Sequence, residues 1–121
     1  MTSILIVDDE HDILLAAEIL LSDEGFEVRT ARNGREALER LAEKHPDIVL
    51  MDVMMPILTG PETIRQMKAD PDYAKIPIIL MSAVQPSFKS DEVAWDLFIR
   101  KPFEIDSLLV SIQKLLEKKK G

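Results

Sequence analysis

A doubly wound α/β domain on five parallel strands is the fold class that this 121-residue sequence predicts. Three observations carry it. Four short runs, Ser3-Ile4-Leu5-Ile6-Val7, Ile48-Val49-Leu50-Met51, Ile78-Ile79-Leu80-Met81 and Leu97-Phe98-Ile99-Arg100, are nearly continuous in apolar residues rather than alternating. That is the pattern of strands buried on both faces. Stretches of helical period separate the strands, and such alternation places helices on both sides of a parallel sheet. Each run also ends on a polar group: Asp8-Asp9, Asp52, Ser82 and Lys101-Pro102. In a parallel sheet these ends share one edge, where open α/β sheets bind their ligands.

After the first strand, Ile13, Leu14, Ala17, Leu20 and Leu21 fall at helical spacing, and Gly25 supplies a stop. Residues 26–30 form a short second strand. Asn33 with Glu36 resembles a capping box opening a helix whose inner face is Ala37, Leu38, Leu41 and Ala42. His45-Pro46 ends it. The third strand leads through Met54-Met55-Pro56 into a helix with Pro61 near its first position and Ile64 and Met67 inward. Pro71 and Pro77 bracket the approach to the fourth strand. Residues 83–96 carry Pro86, Ser87 and Ser90 and predict a loop, with at most a short helix near Asp91 to Trp95. The last helix presents Ile105, Leu108, Leu109, Ile112, Leu115 and Leu116 as one stripe. Because the first and third strands carry the acids, they should be neighbours where the strand order reverses. That is the flavodoxin-like order 2-1-3-4-5.

The length fits one domain, residues 1–121, with a real core. There is no cysteine, which excludes disulfides, thiolate metal sites and a thiol nucleophile. A net charge of −7 argues against nucleic-acid binding by this domain. Lys118-Lys119-Lys120 reads as a solvated helix end that suits the macrodipole. No run approaches transmembrane length and no signal peptide is evident, so a cytoplasmic protein without membrane contact is expected. His11 and His45 read as surface residues, and the six methionines as core filler.

Three carboxylates gathered about 5 Å apart repel by roughly 3 kcal/mol per pair at an effective dielectric near 20. Together the pairs approach the stability of a whole domain. Either a proton or a cation must therefore sit among Asp8, Asp9 and Asp52. Lys101 supplies one positive charge, and a divalent ion would bring the formal sum to zero. Hard oxygen ligands without His or Cys favour Mg²⁺, or Mn²⁺, over zinc. Such a cluster invites phosphoryl transfer. Asp52 stands alone at its strand end and is the candidate nucleophile, while Asp8 and Asp9 are paired as metal holders. The metal and Lys101 would stabilise charge on the transferring group, and Ser82 would hydrogen-bond the product. Each residue also has an ordinary reading as helix cap, turn residue or strand terminus. Four such readings along one sheet edge are far less ordinary than any one of them.

Ile6-Val7-Asp8-Asp9-Glu10, Leu50 through Pro56, Met81-Ser82-Ala83 and Lys101-Pro102-Phe103, in that order, resemble the receiver domain of two-component response regulators, over about Ser3 to Leu116. The resemblance implies that Asp52 accepts phosphate from a histidine kinase or histidine phosphotransfer protein. It implies Asp8 and Asp9 as Mg²⁺ ligands, joined by Asp52 and the backbone carbonyl of Met54. Ser82 is then the switch hydroxyl and Lys101 the cation on the phosphoryl group. The Lys101-Pro102 bond is expected to be cis. Phe98 would turn inward as Ser82 moves, altering the face of the fourth helix, fifth strand and fifth helix.

The departures carry information. Thr59 stands where the family usually has Asp or Asn, with little expected consequence. Ser82 and Lys101 are 19 positions apart, shorter than the family pattern by roughly one helical turn. Ala94-Trp95 replaces the usual Gly-Ala, and Pro86 falls where the fourth helix would begin. A shortened or irregular fourth helix is predicted, which puts the ordinary output surface and the role of Phe98 in question. Ala83 is small and leaves room for a donor. Met54 and Val84 are apolar and predict exclusion of the hydrolytic water, and so a long-lived phosphorylated state.

Two other functions compete with the phosphorylation switch. A phosphatase working through an aspartyl phosphate would be a true enzyme, but such hydrolases place a second acid two residues after the nucleophile, where this chain has Met54. A phosphate-independent interaction module is the other, favoured by the altered fourth-helix region and opposed by the intact site. A mononucleotide binder is excluded, because Asp8-Asp9-Glu10-His11-Asp12 after the first strand repels phosphate. The output partner is unspecified, and the last helix and its surroundings offer a surface for self-association.

Overall fold

The computed structural model describes residues 2–83 and 95–120. Along the chain lie β1 (Ser3–Val7), α1 (His11–Asp23), β2 (Glu27–Ala31), α2 (Gly34–Glu43) and β3 (Ile48–Asp52). They are followed by α3 (Gly60–Ala69), β4 (Ile78–Ser82), β5 (Leu97–Arg100) and α4 (Ile105–Lys120). The sheet is parallel throughout, in the order β2-β1-β3-β4-β5. Every residue of β1, β3 and β4 is buried, as their continuous apolar runs predict. β5, read the same way, lies at the sheet edge and is only half-buried, with Arg100 exposed.

Alternate residues of each strand feed two core layers. Leu5, Val7, Val49, Met51, Ile78 and Leu80 pack with Ala37 and Leu41 of α2 and with Ile64 and Met67 of α3. Ile4, Ile6, Ile48, Leu50, Ile79 and Met81 pack with Leu14, Ala17 and Leu21 of α1 and with Leu108, Ile112 and Leu115 of α4. Complete burial of one such Leu or Ile side chain stabilises by roughly 2 kcal/mol.

Several local expectations need correction. β2 begins at Glu27, one residue later than the apolar pattern gave, because Phe26 belongs to the turn after α1: its N–H donates to the Leu21 carbonyl at 3.2 Å. Leu20 is 45% exposed, since the apolar arc of α1 is wider than the sheet can cover. Ala42 is exposed for a similar reason: Ala37 and Leu41 already fill the contact. Met54 is no core filler, being 70% exposed. At Asn33 only half of the capping box forms, its side chain accepting from Glu36 N–H at 2.8 Å. The complete box lies at Thr59, where Thr59 and Glu62 cap one another reciprocally at the start of α3. The predicted loop or short helix between β4 and β5, with Pro86 and Val84, falls on residues 84–94, outside those described.

Other acids serve the opposite end of the sheet. Asp47 Oδ2 accepts from Ser3 N–H at 2.8 Å, and Asp96 Oδ2 accepts from Ile78 N–H at 2.8 Å. Among the described residues no helix is long and apolar enough to cross a membrane.

Candidate functional site

Register explains why distant residues meet. Val7 pairs with Met51 and Asp52 with Met81, so Asp8 and Asp52 emerge side by side at the C-terminal edge. Ser82 pairs with Arg100, and Lys101 N–H donates to the Ser82 carbonyl at 2.8 Å, which brings Lys101 to the same edge. The Lys101-Pro102 peptide is cis. The loop after β3 then folds back on its own strand: Gly60 N–H donates to the Val53 carbonyl at 3.0 Å. A Cβ on Gly60 would lie 2.2 Å from the Asp52 carbonyl oxygen, so this return tolerates no side chain.

The five residues singled out from the sequence thus come together at one edge. Asp8, Asp52 and Ser82 are buried and Asp9 is exposed. Carboxylate oxygens of Asp8, Asp9 and Asp52 all lie within 4.8 Å of one another. Lys101 Nζ donates to Asp8 Oδ2 at 2.6 Å and sits 3.2 Å from Asp52 Oδ1. Asp8 does a second job beside α1, its Oδ1 accepting from Glu10 N–H at 3.0 Å. Phe98 is half-buried on β5 and packs against the core layer of α2 and α3.

The electrostatics are unbalanced. Burial, reinforced by the charge of Asp8, pushes the Asp52 carboxyl up from 3.8 to about 6, against the lowering pull of Lys101. Burial works against the Lys101 ammonium, yet its hydrogen bond to Asp8 and the charges of Asp52 and Asp8 together hold its pKa above the ordinary value. Three acids against one ammonium leave room for a hard dication, and the donor set is all oxygen. The residues present therefore fit a divalent ion of the magnesium type.

Two features escaped the sequence. Glu10 reaches within 3.6 Å of Lys101 Nζ while remaining 62% exposed. Its place directly after Asp8-Asp9 was the available signal. A cavity of about 410 Å³ also opens between α1 and the residues after β5, lined by Ile13, Ala16, Leu20, Pro102, Phe103 and Ile105, with Glu10 and Lys101 among its walls. Leu20, one of the helically spaced apolar residues of α1, is one of those walls.

The family model for the response regulator receiver domain matches residues 4–113. Regulatory protein AtoC of Escherichia coli is 36% identical over 118 residues, covering 94% of this chain and 25% of AtoC. Protein PilG of Pseudomonas aeruginosa is 34% identical over 113 residues, covering 91% of this chain and 84% of PilG. The solved structure of chemotaxis protein CheY4 of Vibrio cholerae matches with a TM-score of 0.88 at 32% identity, over 94% of this chain and 98% of that one. The chain thus spans a quarter of AtoC but most of PilG and nearly all of CheY4. With the fold, the edge cluster and these matches in agreement, the chain belongs to the response regulator receiver domain family.

Proposed function

We propose that Asp52 is the phosphoacceptor, taking a phosphoryl group from a phosphohistidine of a histidine kinase or histidine phosphotransfer protein. The observation that carries this reading is the convergence of three carboxylates within 4.8 Å around one buried ammonium. With a pKa of about 6, Asp52 is mainly ionised at neutral pH and available as a nucleophile. Its oxygen attacks phosphorus, the phosphorus–nitrogen bond breaks, and the electron pair returns to the histidine ring.

Asp8, Asp9, Asp52 and the Met54 carbonyl would hold Mg²⁺. When bound, that ion supplies positive charge against the negative charge developing on the transferring group. Lys101 gives up part of its pairing with Asp52 and meets the phosphoryl oxygens, which carry more charge than the carboxylate did. Ser82 donates its hydroxyl to the product, and Phe98 follows it inward. A hydrogen bond to a charged group is worth about 1.5–3 kcal/mol, enough to bias a two-state surface. Residues 1–121 act in this reading as one cytoplasmic receiver unit, a phosphoacceptor rather than a turnover enzyme. Met54, where a phosphatase would need its second acid, supports the latter point.

Incubation with acetyl phosphate and Mg²⁺ followed by intact-mass spectrometry tests the assignment. One phosphate adduct is expected on the native chain and none on Asp52→Asn. An adduct of equal yield on the variant sinks it.

A further inference from the structure

The loop from Val53 to Thr59 is pinned at both ends and along its length. Gly60 N–H bonds back to Val53, Gly34 N–H donates to the Leu58 carbonyl at 3.2 Å, and Thr59 is locked in its capping box. Between these anchors, Leu58 N–H donates to the Pro56 carbonyl at 2.7 Å, closing a three-residue turn around Ile57. Ile57 has φ 69°, the left-handed region. A γ-turn of positive φ is rare and strained, and a β-branched residue is among the worst suited to it. The side chain recovers little among the described residues, since Ile57 is 74% exposed.

Strain of this kind persists only where the surroundings impose it, and it clusters at functional sites. Here the loop leaves from Asp52 and returns to it at Gly60, so its exposed members stand at the rim of the acid pocket. Met54 and Ile57, 70% and 74% exposed, are the two most exposed large apolar residues described. Exposed acids Asp9, Glu10 and Asp12 lie on the β1 side of the same pocket. A protein delivering a phosphoryl group to Asp52 must cover this rim.

We infer that Ile57 is a specificity-determining contact for the phosphodonor protein, held in a strained turn so that it meets an apolar surface beside the donor's phosphohistidine. The inference rests on the phosphoacceptor reading above. Its partner has a stated chemistry: an apolar patch against Met54 and Ile57, flanked by basic residues against Asp9, Glu10 and Asp12. A small donor such as acetyl phosphate makes none of these contacts.

The test uses the full chain with Ile57→Gly and Ile57→Asn, which both tolerate positive φ, and Ile57→Leu, which keeps the apolar contact. Donors are acetyl phosphate and purified, radiolabelled histidine kinase and histidine phosphotransfer domains, taking the one that labels the native chain fastest. Gly and Asn variants should raise Tm by roughly 4 °C and label with acetyl phosphate within twofold of native. Transfer from the protein donor should fall about tenfold in kcat/KM, through KM, and recover within threefold in Ile57→Leu. An unchanged or lowered Tm, equal losses with both donors, or no loss with either overturns the inference. So does a native chain labelled by acetyl phosphate but by none of the protein donors, which leaves the phosphoacceptor reading standing. Failure with acetyl phosphate as well is instead a failure of that reading.

Discussion

Replacing Lys101 by Met should cost about 3–5 kcal/mol of stability at pH 7. Met keeps the apolar stem and deletes the charge. Lys101 Nζ lies 2.6 Å from Asp8 Oδ2 and 3.2 Å from Asp52 Oδ1, with its side chain only 10% exposed. Without it, two buried carboxylates face each other and Asp9 with no counter-charge. Asp52 also loses the influence that lowers its pKa and should titrate above its native value of about 6. The deficit should therefore shrink as pH falls and Asp52 takes up a proton. Urea unfolding in EDTA, followed by fluorescence of Trp95, the sole tryptophan, measures this. A loss below 1 kcal/mol at pH 7 would mean that the ammonium is not holding the acids together.

The opposite sign is expected at Asp52. Its carboxyl titrates near 3.8 when unexposed to the fold and near 6 within it. Between those values the folded chain holds a proton that the unfolded chain has lost, so stability falls as pH rises from about 4 to about 6. A difference of about two units corresponds to roughly 3 kcal/mol. Asp52→Asn removes the ionisation, so the metal-free variant should be about 2–3 kcal/mol more stable than native at pH 7 and no more stable at pH 4. Equal differences at both pH values would contradict this origin. Lys101→Met and Asp52→Asn share one charge network, so together they should not add.

The same network shows what the residues revealed in advance and what they did not. β1, β3 and β4 were legible because burial on both faces leaves an unbroken apolar run, and their last residues therefore named the sheet edge. Asp8, Asp9, Asp52, Ser82 and Lys101 followed from that edge. Helix faces were less legible: α1 carries Leu15, Ile19 and Leu20 beyond the arc the sheet covers, and sequence period alone cannot say which side of a wide stripe turns inward. Phe26 misled because an apolar residue in a helix-ending turn resembles the start of a strand. Glu10 was missed because its reach to Lys101 depends on side-chain direction rather than on strand register. Ile57 gave no warning at all, since neither Gly nor Asn marks the left-handed position in Pro56-Ile57-Leu58.

Carboxylates buried and crowded at the end of β1 and β3 underlie the pH behaviour and the cation site of the proposed function, and calorimetric titration with Mg²⁺ at pH 7 addresses them directly. One ion should bind per chain, and Asp9→Asn, which alters the exposed member of the cluster, should weaken binding at least tenfold. No measurable heat of binding in the native chain, or an affinity untouched by Asp9→Asn, would show that these acids do not gather a cation.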